Sequence, residues 1–255
     1  MKLLIDAGNT LIKWAIADKM DWLHGGAMPV EHAEELQDII AGLKGVRQVW
    51  VSNVAGEPVA GRIYDACDPS WQLHVIGAQQ AQCGVRNSYI IPGQLGSDRW
   101  AALIAAWHMV QGACLVVSSG TATTVDALSS NGEFMGGLIL PGVDMMQQSL
   151  CNTAAQLQKE KPEQGIYAPF PQKTADAVYS GALQAICGAI ERQYALLCKA
   201  CKNSGSVADH ELNHYVPVVL SGGAATVLLN HLDVPMRNID NLVLRGIWLI
   251  SLDAP

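Results

Sequence analysis

An α/β fold divided between two domains is what this 255-residue sequence predicts, and three observations carry that prediction. Short apolar runs alternate with stretches of helical spacing along most of the chain. The length is one at which a single hydrophobic core begins to divide. Two similar turns each follow an apolar run: Asp6-Ala7-Gly8-Asn9-Thr10 after Leu3-Leu4-Ile5, and Ser118-Ser119-Gly120-Thr121-Ala122-Thr123-Thr124 after Leu115-Val116-Val117.

The elements follow in order. Residues 3–5 and 11–17 make two strands around the first turn, residues 31–43 carry helical spacing, and residues 46–51 form another strand. A helix over 58–66 and a strand over 72–76 precede a long alanine-rich helix over 97–110, which Gly96-Ser97-Asp98 suits as an entry. The second half restarts at Cys114 with a strand, the Gly120 turn and a strand returning to Leu128. Ser130-Asn131-Gly132 then turns the chain into a strand over 134–140. Helices over 143–157 and 174–200, a strand over 216–220 ending in Ser221-Gly222-Gly223, a helical stretch over 224–229 and a closing helix over 241–252 complete the chain. The expected domains are 1–113 and 114–240, with residues 241–255 packing back on the first. Residues 158–172, with three prolines, and 202–209 read as the mobile loops of the chain.

Composition limits the function classes. The 23 acidic residues outnumber 16 basic ones, for a formal charge of −7, and no Lys/Arg cluster offers a surface for a nucleic-acid backbone. Only three apolar residues stand between Lys2 and Asp6, too few for a signal-peptide core, and no apolar run reaches membrane-spanning length. A cytoplasmic location is expected, in which the seven cysteines stay reduced.

Both turns suit polyphosphate. Backbone N–H groups reach phosphate oxygens most closely where no Cβ intervenes, which Gly8 and Gly120 provide. Asp6, at the end of a buried strand, suits Mg²⁺, an ion that takes one or two protein carboxylates and keeps most of its waters. Thr10 and Thr121 can donate hydroxyl hydrogen bonds to phosphate. Either turn taken alone reads equally well as a hairpin connection.

Five blocks in order, Asp6–Thr10, Gly96–Arg99, Gly120–Thr124, Gly136–Gly142 and Ser221–Gly223, resemble the motifs of type III pantothenate kinases over nearly the whole chain. The resemblance implies two ribonuclease-H-like domains of the actin-like ATPase fold with ATP in the cleft between them, and a homodimer. It also implies phosphorylation of the primary hydroxyl of pantothenate by ATP with Mg²⁺, the opening step of coenzyme A synthesis. Position by position, it gives Asp6, Ala7, Gly8, Asn9, Thr10, Leu11, Ile12 and Lys13 to the first ATP loop, with Asp6 near the metal, and Thr121 to the second. It gives Tyr89, Gly96, Ser97, Asp98, Arg99 and Thr174 to pantothenate, with Asp98 as the general base.

The chemistry of the residues agrees. A primary alcohol is a poor nucleophile at neutral pH, and a carboxylate within hydrogen-bond reach can take its proton as the phosphoryl group arrives. Arg99 could pair with the pantothenate carboxylate through its planar fork. Outside this context, Ser97-Asp98-Arg99 would read as a helix cap followed by a surface charge. Ser118 stands where relatives that need a monovalent cation carry aspartate, and a neutral hydroxyl argues against dependence on K⁺ or NH₄⁺. Asp126 reads as the cap of the next turn ahead of a part in positioning metal or water. Gly222-Gly223, after a strand and before a helix, suits either close packing or backbone approach to adenosine.

Other features are weighed beside these. His210-Glu211-Leu212-Asn213-His214 has the spacing of zinc proteases, but it leads into a strand within two residues, so surface histidines are expected. Most of the tryptophans read as core. Trp100 and Trp107 share a helix face that could line a dimer interface. Two alternatives to the pantothenate reading stay open: a kinase of the same fold acting on another small alcohol or carboxylate, and a non-catalytic nucleotide-binding regulator.

Overall fold

A computed structural model describes residues 1–18, 21–153, 165–203 and 216–253. The His210–His214 motif and much of both expected loops lie outside these residues. Mixed α/β structure forms two compact units: residues 1–109, 132–134 and 241–255 make the first, and residues 110–131 and 135–240 the second.

The first unit is organised by a five-stranded sheet of β1 (Lys2–Ala7), β2 (Leu11–Asp18), β3 (Asp21–Pro29), β4 (Gln48–Asn53) and β5 (Gln72–Val75). Their order is β3-β2-β1-β4-β5. β1 pairs antiparallel with β2, setting Asp6 opposite Lys13, and parallel with β4, setting Asp6 beside Ser52. Alternation along these strands separates two faces. Leu3, Ile5, Ala7, Ile12, Trp14, Val49 and Val51 pack into a core with Leu36 and Ile40 of α1 (Leu36–Ala41) and Val59 and Ile63 of α2 (Glu57–Ala66). Asp6, Lys13 and Ser52 belong to the other face.

Helix α3 (Ser97–Val110) is buried from Ser97 through Ala106 apart from Asp98, as its alanine-rich, nearly uniform hydrophobicity requires. Helix α7 (Leu242–Asp253) returns to the sheet, and Lys2 Nζ donates to the Ser251 carbonyl and, at 3.3 Å, to Ser251 Oγ. The short hairpin of β6 (Ala81–Gln82) and β7 (Val85–Asn87) completes this unit; β7 pairs in parallel with Glu133 and Phe134.

The second unit contains β8 (Cys114–Ser119), β9 (Ala122–Leu128), most of β10 (Glu133–Pro141), β11 (Val218–Ser221) and β12 (Met236–Asn238), in the order β12-β11-β8-β9-β10. Leu115, Val117, Val125, Val218 and Leu220 pack against Leu183, Ile186 and Ile190 of α5 (Thr174–Asn203). Helices α4 (Val143–Thr153) and α6 (Ala225–Leu229) lie on the same chain segment order the sequence predicts.

Several expectations are corrected. Residues 31–43 do not form one helix: Val30–Glu35 is a 3₁₀ turn with a non-helical His32, and the α-helix begins at Leu36. Strands β3, β6, β7 and β12 were not expected. Asp126 does not stand at a turn; it is buried within β9. On the Trp100–Trp107 face, Trp100 is fully buried and its Nε1 donates to Gln82 Oε1 at 3.0 Å. The Trp107 ring lies close enough to crowd a Cβ at Gly84 or Gly132. Of the tryptophans, Trp14, Trp50 and Trp100 are core, whereas Trp22, Trp71, Trp107 and Trp248 are half-buried.

Candidate active site

In the first unit, three elements meet at the C-terminal end of β1. The β1–β2 hairpin closes with Gly8 N–H donating to the Leu11 carbonyl at 3.0 Å, which leaves Asn9 and Thr10 exposed at the tip. The hairpin reading of this turn is therefore correct as geometry, and the tip remains open to a ligand. Ala7 and Ile12, both fully buried in the core, can contribute to an ATP loop only through their backbone. Asp6 and Lys13 face the opposite side together.

Burial pushes the Asp6 carboxyl up to about 7; the Asp98 carboxylate adds to the rise and the Lys13 ammonium opposes it. Desolvation disfavours the charged form, and a like charge nearby disfavours it further. Asp6 and Asp98 are thus within each other's field, although the sequence separates them by most of the first unit. Asp98 occupies the first turn of α3, where its Oδ1 accepts the Arg99 N–H at 2.8 Å. A Cβ at Gly96 would stand 2.5 Å from Asp98 Oδ1, so the glycine leaves room for the carboxylate in this position.

Arg99 is buried beneath its neighbours. Its Nη1 donates to the Tyr89 hydroxyl at 3.2 Å, and its guanidinium lies 5.9 Å from the Tyr89 ring centroid and 5.8 Å from that of Phe134. Such cation–π contacts hold a planar cation without neutralising it. Tyr89 is positioned in turn by its N–H donating to Asn87 Oδ1 at 3.0 Å, with Asn87 buried and its Nδ2 donating to the Pro92 carbonyl at 3.1 Å. Tyr89, Gly96, Ser97, Asp98 and Arg99 are therefore gathered in the first unit. Phe134 was missed: it follows a hairpin turn, and only the pairing of Glu133–Phe134 with β7 brings it to Arg99.

In the second unit, Gly120 and Thr121 form the exposed tip between β8 and β9, with Gly120 N–H donating to the Ala122 carbonyl at 3.0 Å. Below the tip, Ser119 and Thr123 are a buried cross-strand pair whose hydroxyls lie 3.0 Å apart. Gly142 and Gly222 buttress this loop from behind: a Cβ on either would stand 2.1 Å from a carbonyl oxygen, that of Gly120 and that of Ser119 respectively. Gly222 also has φ of +104°, so close packing of its backbone on Ser119 accounts for it. Gly222→Ala should destabilise the protein by roughly 3 kcal/mol through overpacking and backbone strain. Thermal unfolding should then show a Tm lower by roughly 6–12 °C, at about 2–4 °C per kcal/mol for a chain of this size. Thr174 is the exposed first residue of α5, and Ser118 is half-buried opposite Thr124. Among the described residues, no three His, Cys, Asp or Glu side chains gather as a metal site, and no helix is long and apolar enough to cross a membrane.

Comparison with solved structures defines the class. A Baf family transcriptional activator from Campylobacter jejuni superposes with a TM-score of 0.59 at 23% identity, covering 98% of this chain and 97% of that one. A 2-dehydro-3-deoxygalactonokinase protein from Sinorhizobium meliloti superposes with a TM-score of 0.52 at 14% identity, covering 98% of each chain. At these identities the likeness concerns fold alone, and the fold is the two-domain actin-like one. The sequence comparisons are narrower. The family model for type III pantothenate kinase matches residues 2–196. The type III pantothenate kinase of Nitrosospira multiformis is 43% identical, over 99% of this chain and 91% of its own length. That of Aromatoleum aromaticum is 42% identical over 98% of both. The chain belongs to the type III pantothenate kinases, which use ATP to phosphorylate pantothenate in coenzyme A biosynthesis.

Proposed function

We propose that this chain transfers the terminal phosphoryl group of ATP to the primary hydroxyl of pantothenate, with Asp98 accepting the hydroxyl proton. One observation carries the assignment of roles: the fold brings Asp6 and Asp98 into mutual electrostatic range at the end of β1, beside an exposed glycine turn. A carboxylate at the start of a helix, with one oxygen engaged by a backbone N–H, keeps its other oxygen for the acceptor alcohol. That is the placement general-base assistance requires.

Residues 6–13 and Thr121 serve as the ATP contacts in this reading. Tyr89, Gly96, Ser97, Arg99 and Thr174 serve as the pantothenate contacts, with Arg99 meeting the substrate carboxylate. The Asp6 site fits Mg²⁺. It offers one carboxylate, whose ionised form is made costly by burial and by Asp98, and a cation would relieve that cost. When bound, the ion would neutralise charge on the transferring phosphates. A homodimer and a cytoplasmic location accompany the reading as expectations of the family.

A coupled assay with pantothenate and Mg-ATP, run with and without K⁺, tests it. Turnover is expected, and because Ser118 offers only a neutral hydroxyl, K⁺ should change the rate by no more than about twofold. A panel of other small alcohols and carboxylates in the same assay should give far less product. Comparable turnover of a second acceptor would overturn the substrate assignment.

A further inference from the structure

We infer that Ser52 is a positioning residue for the transfer: its buried hydroxyl, bonded to that of Ser97, sets where α3 begins and so where the Asp98 carboxylate stands relative to Asp6. The inference rests on the reading of Asp98 as the base.

Ser52 is fully buried at the end of β4, and its Oγ lies 2.9 Å from Ser97 Oγ, itself only 8% exposed. A hydroxyl placed among apolar atoms is tolerated only when it is hydrogen-bonded, so each serine accounts for the other. The bond joins α3, which carries Asp98, to β4, the strand paired with the one that carries Asp6. On one side, the parallel register sets Ser52 directly beside Asp6. On the other, Ser97 is the residue before Asp98.

The β4 end of this link is rigid. Val54 N–H donates to the Ala7 carbonyl at 2.9 Å, Asn53 Oδ1 accepts the Ala55 N–H at 2.9 Å, and Asn53 Nδ2 donates to the Gly56 carbonyl at 3.0 Å. The turn leaving β4 is thereby tied both to β1 and to itself. At the α3 end, Arg99 and Trp100 tie the first turn to Tyr89 and Gln82, while Asp98 Oδ1 is engaged by the Arg99 N–H within the same helix, so the Ser97 hydroxyl is the group of this turn that bonds to β4. A directional O–H···O bond fixes separation and angle, whereas a methyl–methyl contact would let the helix start slide. Misplacement of a reacting group by about 1 Å can cost on the order of 10²-fold in rate.

The experiment compares Ser52→Ala, Ser52→Thr, Ser97→Ala and the Ser52→Ala/Ser97→Ala double variant with the parent protein and Asp98→Asn. Ser52→Ala should lower kcat by roughly 10-fold or more while KM for ATP stays within about twofold, because the lost bond orders the base and touches no nucleotide. Ser52→Thr keeps the hydroxyl and should retain most of the parent kcat. A site that mattered only for packing would instead tolerate alanine better than threonine, since the added methyl must be fitted into a closed core. The double variant should be no slower than Ser97→Ala alone, since both substitutions break one bond.

Parent-level kcat in Ser52→Ala, a threonine variant slower than the alanine one, or multiplying losses in the double variant would each overturn the inference. Should Ser52→Ala fail to fold, the order of Ser52→Thr against the parent still decides it, because a kcat loss of 10-fold in a folded hydroxyl-bearing variant contradicts the role. Failure of the underlying reading looks different: Asp98→Asn would then turn over pantothenate like the parent, whatever the serines do.

Discussion

Asp98→Asn is expected to lower kcat for pantothenate by about 10²–10⁴-fold, the range that general acid–base assistance supplies, while KM for ATP changes little. The amide is nearly isosteric and can still accept the Arg99 N–H through its carbonyl oxygen, so the start of α3 should keep its geometry. What it loses is the capacity to take a proton. The expected pattern, a fall in kcat and in kcat/KM for pantothenate together, is that of an interaction made in the transition state. A second consequence is electrostatic. The Asp98 charge helps to hold the Asp6 carboxyl up, so its removal should lower the Asp6 pKa, readable as a shift in the pH dependence of ligand-free stability. Undiminished turnover in Asp98→Asn would remove Asp98 from the chemistry.

Much of the architecture is legible in the sequence because it is carried by long, strongly patterned segments. The helix over 97–110 and the β8–β9 hairpin around Gly120 lie where the residues place them. What was not legible has physical causes. β3 reads Asp-Trp-Leu-His-Gly-Gly-Ala-Met-Pro; residues 23–27 are exposed, and the strand is held at the sheet edge by its ladder to β2. No apolar alternation announces such a strand, since alternation reports a buried face. β6 and β7 span two and three residues, too short for any period to register.

The site divides along the same line. Asp6, Gly8 and the Gly120 turn are proposed from local patterns of strand, acid and glycine, whereas Asp98 is proposed only from the family motif, since its local pattern alone reads as a helix cap. Ser52 and Phe134 escape such a reading, because non-local pairing is what brings them beside Asp6 and Arg99. Ser52 follows Val-Trp-Val as an ordinary strand-end residue until the parallel register sets it beside Asp6. Phe134 is one more apolar residue until pairing with Asn87 places its ring over Arg99. Asp126 was misread for the complementary reason: an acid at the far end of a polar block suggests a cap, yet β9 continues through it and buries it.

Asp6→Asn should show opposite effects on activity and on stability, and the pH dependence separates them. The folded protein raises the Asp6 carboxyl from its ordinary 3.8 to about 7, chiefly by burial. Because the folded value lies above the unfolded one, the native state binds the proton more tightly. The associated stability is fully present below about pH 4 and is lost progressively as pH rises toward 7. Above that point both states are ionised and the fold carries the whole burden of a largely desolvated charge, on the order of 4 kcal/mol at 1.36 kcal/mol per unit. Asparagine has no charge to bury. In ligand-free protein at pH 8, Asp6→Asn should therefore raise Tm by several degrees, and at pH 4 it should change Tm little. Activity should move the other way, falling by about 10²-fold or more, because the variant gives up the charge that the proposed reading assigns to holding metal and phosphate. Such strained groups persist at functional sites and relax when removed. Thermal melts of the two proteins across pH 4–8, beside the coupled assay, read both effects. Equal Tm values at pH 8, or a rise of the same size at pH 4, would show that Asp6 is not held against its own ionisation.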